Sequence, residues 1–286
     1  MLSYDLRAEA AGGDTVESTG PHIGVLHSDG VLSALELPSE LDGIGVPSDV
    51  LPLTAAADGT LYVWDGSAAR VLERTAAGEW NVAVAVPAES LYGPPRAAVG
   101  PTGDLFVQTA ASVVQVDRAG AVARVVGTGF TANCDGCLPE TPIGTFPREA
   151  TAQAMPLLSG LVVADDGTIY VATGATVLAV ADGQLSLVAD PGTTSADGEG
   201  AIAAFHDAGE RQEGSVLTAL AIDVDGSLLV GDSGFDQRIL RIHNGHSEVL
   251  LGDVSWLFNG IVVTRSVTRD LLFMADGSSV LVAYGR

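Results

Sequence analysis

A few groups of side chains in this sequence have the types and spacing that chemistry needs. Cys134-Asp135-Gly136-Cys137 is a CxxC pair. A tetrahedral zinc site needs two more ligands, and neither a second CxxC nor a paired histidine accompanies it. A dithiol redox centre needs a helix N-terminus in a βαβ setting, which the flanking sequence does not offer. What remains is a local disulfide that pins a loop, or two free thiols, and no stoichiometric zinc is expected. A disulfide would favour an extracytoplasmic or secreted setting.

His206-Asp207 with Glu210 pairs an imidazole with carboxylates, which suits a metal-ligand set or a general acid–base pair. The competing reading is a solvated acidic loop in a protein that is acidic throughout. His243 and His246 flank Asn244-Gly245, a two-residue hairpin turn, and read as turn neighbours. Asp65, Asp232 and Asp276 each end the second strand of a repeated phrase, and Asp236 follows soon after Asp232. As a set, these four carboxylates would ring one mouth of the fold and attract cations or basic groups. Singly, each can instead cap a turn by accepting hydrogen bonds from backbone N–H groups. No GxSxG elbow, phosphate-binding loop or HExxH helix is present.

The elements that must position these residues are strands. Leu161–Val171 places two β-rich runs around Asp166-Gly167, a hairpin signal of the type I′ kind. The phrase recurs over Leu53–Val63 and Ala219–Val230, and in variant form over Ala97–Val107, Gly260–Phe273 and Gly24–Leu32. A second hairpin follows, as in Val113–Val116 into Val122–Val126 and Ile239–Ile242 into Glu248–Leu251. Four antiparallel strands repeated at intervals of about 44 to 60 residues predict an all-β propeller. A sandwich would not repeat one four-strand phrase. Six four-stranded blades are expected, with five as the alternative. Leu2 to Ala8 is expected to complete the C-terminal blade and close the ring.

The chain therefore reads as a single domain over residues 1–286, with long crossover insertions at about 130–156 and 190–215. Both insertions are expected to sit over the channel mouth as a partial lid. At 47% apolar and 17% charged the chain has ample material for a core. Its 13 basic residues are all arginine, and against 36 Asp and Glu they leave a net charge of −23. Nucleic-acid binding is excluded on that balance, and an anionic membrane surface is disfavoured. No apolar run is long enough to span a bilayer, and the first residues show no leader pattern.

Ala196–Phe205, Ala221–Asp232 and Gln237–Ile242 together resemble the NHL-repeat propellers: a Gly-rich crossover, an Asp-Gly hairpin and an Arg-Ile closing strand. The match is good over residues 190–251, fair over 95–190 and weak elsewhere. The resemblance implies a binding module for a peptide, protein or glycan on the lidded face, since the family contains recognition scaffolds, sensor modules and a few enzymes. Phe258-Asn259-Gly260-Ile261 also resembles a strand start of the gluconolactonase-like propellers, whose asparagine holds a channel-centred divalent cation. That implies Asn259 as a ligand and, as the alternative function, a hydrolase or lyase using a divalent cation. The pattern departs there, because Asn81, Asn133 and Asn244 fall in an outer strand, an insertion and a turn. A weaker calcium site using carboxylates such as Asp232 stays open, with His206 or a carboxylate as the base.

Overall fold

The computed structural model describes residues 50–56, 58–86, 95–129, 146–155, 157–174, 176–189, 217–223, 225–232, 238–243 and 246–251, with residues 37–38 and the short strands named below outside those ranges. The chain begins with β1 (Leu2–Ser3), a hairpin of β2 (Arg7–Glu9) and β3 (Thr15–Glu17), then β4 (Ile23–Leu26) and β5 (Leu32–Leu35). Strands β1, β4 and β5 make sheet I. A second short hairpin, β6 (Glu40–Leu41) with β7 (Ile44–Gly45), precedes sheet II. Sheet II comprises β8 (Val50–Ala55), β9 (Leu61–Asp65), β10 (Arg70–Arg74) and β11 (Trp80–Ala85).

Sheet III is built from β12 (Arg96–Val99), β13 (Leu105–Gln108), β14 (Val113–Val116) and β15 (Val122–Val126). After β16 (Arg148–Glu149), sheet IV follows as β17 (Leu158–Val163), β18 (Ile169–Thr173), β19 (Thr176–Ala181) and β20 (Gln184–Ala189). Sheet V repeats the pattern with β21 (Leu217–Ile222), β22 (Leu228–Asp232), β23 (Arg238–His243) and β24 (His246–Leu251). Sheet VI contains β25 (Thr264–Arg265), β26 (Leu271–Ala275) and β27 (Leu281–Gly285). Pairing is antiparallel throughout, and within sheets II to V the four repeated strands follow chain order.

The first strands of successive sheets lie against one another: β8 on β12, β12 on β17, β17 on β21 and β21 on β25. Side chains alternate between the two faces of a strand, so each sheet packs on both neighbours. In β13, Leu105 and Val107 face sheet II while Phe106 faces sheet IV. In β18, Ile169 and Val171 join the cluster with sheet III, and Ala172 joins that with sheet V. The core is a series of inter-sheet layers with no single centre. Leu72, Leu178, Leu185 and Leu217 are fully buried in them, each stabilising the fold by about 1.5–3 kcal/mol.

Three expectations are corrected in detail. The Asp-Gly hairpins are three-residue loops rather than type I′ turns. Ala56 N–H donates to Thr60 O and Gly59 N–H to Ala56 O, and only Gly59, at φ 91°, takes the left-handed region. A turn with both central residues at positive φ occurs instead between β19 and β20, at Asp182 (50°) and Gly183 (73°). The second correction concerns the N-terminal strand: Leu2 and Ser3 pair with Gly24 and Ile23 of sheet I, not with sheet VI. Thirdly, the described end of the first insertion is not part of a lid. Arg148 and Glu149 pair with Leu185 and Gln184 as a fifth, outermost strand of sheet IV.

Candidate functional site

Each of sheets II to V has a crossover end, where the second strand turns into the third and where the chain enters the first. Two of these ends are closed by ion pairs. The last residue of β9, Asp65, is opposite the first of β10, Arg70. Arg70 Nε donates to Asp65 Oδ2 at 2.9 Å, and Asp65 Oδ1 accepts from Ser67 N (3.1 Å) and Ser67 Oγ (2.5 Å). Asp65 is 0% exposed and Arg70 3%. Sheet V repeats this arrangement: Asp232 is opposite Arg238, with Nε to Oδ2 at 3.4 Å, and both are buried. In both sheets the carboxylate answers a buried guanidinium, and in sheet II it also braces the turn. Asp236, Asp276, Asn259, His206, Asp207, Glu210, Cys134 and Cys137 lie outside the described residues.

The corresponding end of sheet III is built differently. Thr109 occupies the position of Asp65 and Ser112 that of Arg70, so no guanidinium is opposite it. Hydroxyls brace the turn instead, with Thr109 Oγ1 and Ser112 Oγ 2.7 Å apart. Gln108 Nε2 donates to Leu158 O of β17 at 2.9 Å, and Leu158 N–H donates to Ala110 O at 2.7 Å, tying sheet IV to sheet III. Among the described residues, the buried Oε1 of Gln108 has no hydrogen-bond partner, and neither does the buried Oγ of Ser159.

Arg96 adds a charge to the same seam. It is the cross-strand partner of Gln108, so the two side chains share a face of the sheet. Two residues on, Ala98 packs into the layer with sheet IV, whereas Ala97 and Val99 face sheet II. Alternation therefore turns both Arg96 and Gln108 toward sheet IV. Ser159 sits at a bulge between Leu158 and Gly160, and the alternation that turns Leu161 toward sheet III carries Ser159 with it. At the matching bulge of sheet II stands Leu53, packed in an apolar cluster. Half-buried Arg96 makes no hydrogen bond or ion pair among the described residues, and burial pulls its pKa below the ordinary arginine value. None of these three residues stood out in the sequence. The available signal was the aligned second-strand ends Asp65, Thr109, Thr173 and Asp232, where sheets III and IV break the Asp–Arg rule.

At the opposite, hairpin end of sheets III and IV lies an open cleft of about 770 Å³. Phe106, Ile169 and Val180 line its floor, and Asp104, Glu149, Asp166, Asp182 and Arg124 stand around it. Asp104 is engaged by Thr102 Oγ1 (2.9 Å) and Gln115 Nε2 (2.7 Å). The Thr168 backbone N–H holds Asp166 below the usual carboxylate range, as Thr60 does for Asp58. On sheet V, Asp225 is lowered by Ser227 and then by Arg241, which also bonds Glu248. His243 Nδ1 and Ser227 Oγ are 2.9 Å apart. Among the described residues, no three His, Cys, Asp or Glu side chains are placed to hold a metal.

Solved structures share the arrangement of sheets. Virginiamycin B lyase from Staphylococcus aureus is 12% identical, with a TM-score of 0.55 over 95% of this chain and 80% of that one. The fold is a β-propeller. A putative gluconolactonase is similar to this propeller at 12% identity and a TM-score of 0.52, covering 91% of this chain and 79% of its own. YCF48 bound to D1 peptide matches at 11% identity and a TM-score of 0.53, over 93% and 73% of the two chains. No family model matches the sequence, and no curated protein does. Among the described residues of the propeller, no helix is long and apolar enough to cross a membrane.

Proposed function

We propose that this propeller is a recognition module that binds a peptide, protein or glycan at its crossover face, with sheets I to VI as six blades. One observation carries the reading. Two crossover ends are sealed by Asp–Arg pairs, whereas at the seam between sheets III and IV a cation and two buried polar oxygens have no partner among the described residues. Buried polar groups are costly unless they are hydrogen-bonded, so an unsealed set at one end of a rigid scaffold suits a ligand. In this reading the insertions near 130–156 and 190–215 flank the ligand, with Asp236, Asp276 and Asn259 as further contacts. Asp65 and Asp232 act as braces for the adjoining turns.

The test is a screen of the purified protein on peptide and glycan arrays, followed by mapping of the bound site by amide hydrogen exchange. A saturable ligand that protects β12, the β13–β14 turn and the start of β17 is the expected result. Protection confined to the hairpin-end cleft would overturn the assignment of the face. Turnover of an arrayed ligand that depends on added Ca²⁺ or Mg²⁺ would replace the module by a cation-dependent hydrolase or lyase.

A further inference from the structure

The open cleft at the hairpin end of sheets III and IV contains a carboxylate put there by a local reversal of sequence. Sheets II, IV and V pass from first strand to second through Asp58-Gly59-Thr60, Asp166-Gly167-Thr168 and Asp225-Gly226-Ser227. Each of those aspartates caps its own turn by accepting from the backbone N–H two residues on. Sheet III reverses the order as Thr102-Gly103-Asp104, so a half-buried carboxylate stands where the others carry a hydroxyl. Asp104 Oδ2 accepts from Thr102 Oγ1 at 2.9 Å and from Gln115 Nε2 at 2.7 Å, both uncharged donors. Among the described residues, Oδ1 accepts no hydrogen bond and no cation pairs with Asp104.

The walls of the cleft meet at this group. Alternation puts Asp104 and Phe106 on one face of the second strand, and Gln115 is the cross-strand partner of Phe106. Phe106 packs into the layer with sheet IV, where Ile169 and Val180 are paired across β18 and β19 and join the same cluster. All five residues line the cleft. The Phe106 ring lies against Gly100, where a Cβ would come within 2.8 Å of Cε2, so its place is fixed. Sheets II and IV carry Tyr62 and Tyr170 at this position, and phenylalanine keeps the floor free of a hydroxyl. A fixed carboxylate beside an apolar floor suits a cation carried on an apolar body. A bare divalent ion needs about six oxygen ligands, and no three His, Cys, Asp or Glu side chains among the described residues are placed to hold a metal. An anion would be opposed by Asp104 and by the net charge of −23. The volume of about 770 Å³ is that of a small-molecule site.

We propose that this cleft binds a small organic amine, with its ammonium on Asp104 Oδ1 and its apolar body over Phe106, Ile169 and Val180. The site is at the other end of the blades from the crossover face and does not rest on the recognition reading.

Benzylamine, a cation at neutral pH, is the probe. Benzyl alcohol has its shape without the charge, and methylamine has the charge without the ring. Each is titrated calorimetrically into the native protein at matched ionic strength, with NaCl as the reference. In parallel, 4-azidobenzylamine is photolysed on the native chain and its attachment point read by mass spectrometry, which requires no variant. Benzylamine is expected to bind saturably and at least about tenfold more tightly than either reference, and the azide to label residues lining the cleft. Asp104→Asn can still accept from Thr102 and Gln115 but should lower affinity at least about tenfold. Asp165→Asn, which removes one exposed charge outside the cleft lining, should leave it unchanged. No saturable binding of benzylamine, equal binding of the alcohol, label confined to other segments, or an affinity unmoved by Asp104→Asn would each overturn the proposal. The first three are read on the native chain, so they decide the matter even if the variant does not fold. Displacement of benzylamine by Ca²⁺ at an ionic strength where NaCl does not displace it would replace the amine by a metal ion. Tighter binding of N-acetyl-lysine amide than of benzylamine would overturn the choice of a small amine in favour of a basic side chain. An array ligand held on the crossover face of a protein that ignores benzylamine would sink this proposal alone.

Discussion

Sheets II and III occupy neighbouring positions in the same scaffold and share strand order, the bulge between third and fourth strands and hairpin-turn geometry, yet their crossover ends differ. Sheet II closes with Asp65 and Arg70 at 2.9 Å, both buried. Sheet III puts Thr109 and Ser112 at the same places, their hydroxyls 2.7 Å apart, and leaves the charge of Arg96 on the adjoining strand. The repeat fixes where a side chain points, and the residue type decides whether that position braces the fold or is held ready for something else. A brace is recognisable by its partner, whereas a binding group is recognisable by lacking one in a place where lacking one is costly.

Breaking the brace has the largest expected effect. Asp65→Ala leaves Arg70 buried without its carboxylate and is expected to cost about 3–5 kcal/mol in chemical denaturation. Copying sheet III into sheet II, as Asp65→Thr with Arg70→Ser, is expected to recover more than half of that loss. A double variant no better than the single would show that the two ends are not interchangeable. Asp232→Ala tests the looser pair, 3.4 Å long, and should cost less, about 1.5–3 kcal/mol. At sheet III the sign reverses: Arg96→Met removes a charge with no partner among the described residues and is expected to stabilise the free protein by about 0.5–2 kcal/mol. Destabilisation by that change would mean that Arg96 is already satisfied.

The smallest effect lies at the hairpin end. Asp58, Asp166 and Asp225 have pKa values lowered by the turns they cap. Their contribution to stability is present above the unfolded carboxylate pKa, near 4, and is lost as pH falls through their lower folded values. The thermal midpoint of the native chain should therefore drop below about pH 4, and less steeply once all three are replaced by serine. Equal slopes would remove these caps from the account.

Much of this fold was legible in the sequence. Strands β14 and β15 are where the alternation of Val113–Val116 and Val122–Val126 puts them, because a period of two with valine at most positions admits little else. The Asp-Gly turns were found, but their type was not. One glycine at positive φ and two share the same dipeptide, and the loop length that separates them depends on the register of both strands. The pairing of β1 escaped for a related reason: two residues match several edges equally well, and only long-range packing chooses. Asp65 and Asp232 stood out as repeated acids, whereas the arginines that engage them are separated by loops of unequal length, which hid the pairing. Arg96 had no pattern at all, since a missing partner is a property of three-dimensional neighbours.

The outermost strand of sheet IV has a mechanical consequence. Ala150 N–H donates to Gly183 O at 2.8 Å, and Gly127 N–H donates to Ala150 O at 2.9 Å. One short segment therefore bonds to the rims of two sheets at once. Repeat arrays open by parting between units that touch only their nearest neighbours. With both this strap and the Gln108–Leu158 bond crossing the seam, sheets III and IV form a double unit that resists hinging apart. Slow breathing of the ring should then occur at the other seams first, with III and IV exchanging their amide protons as a single cooperative block.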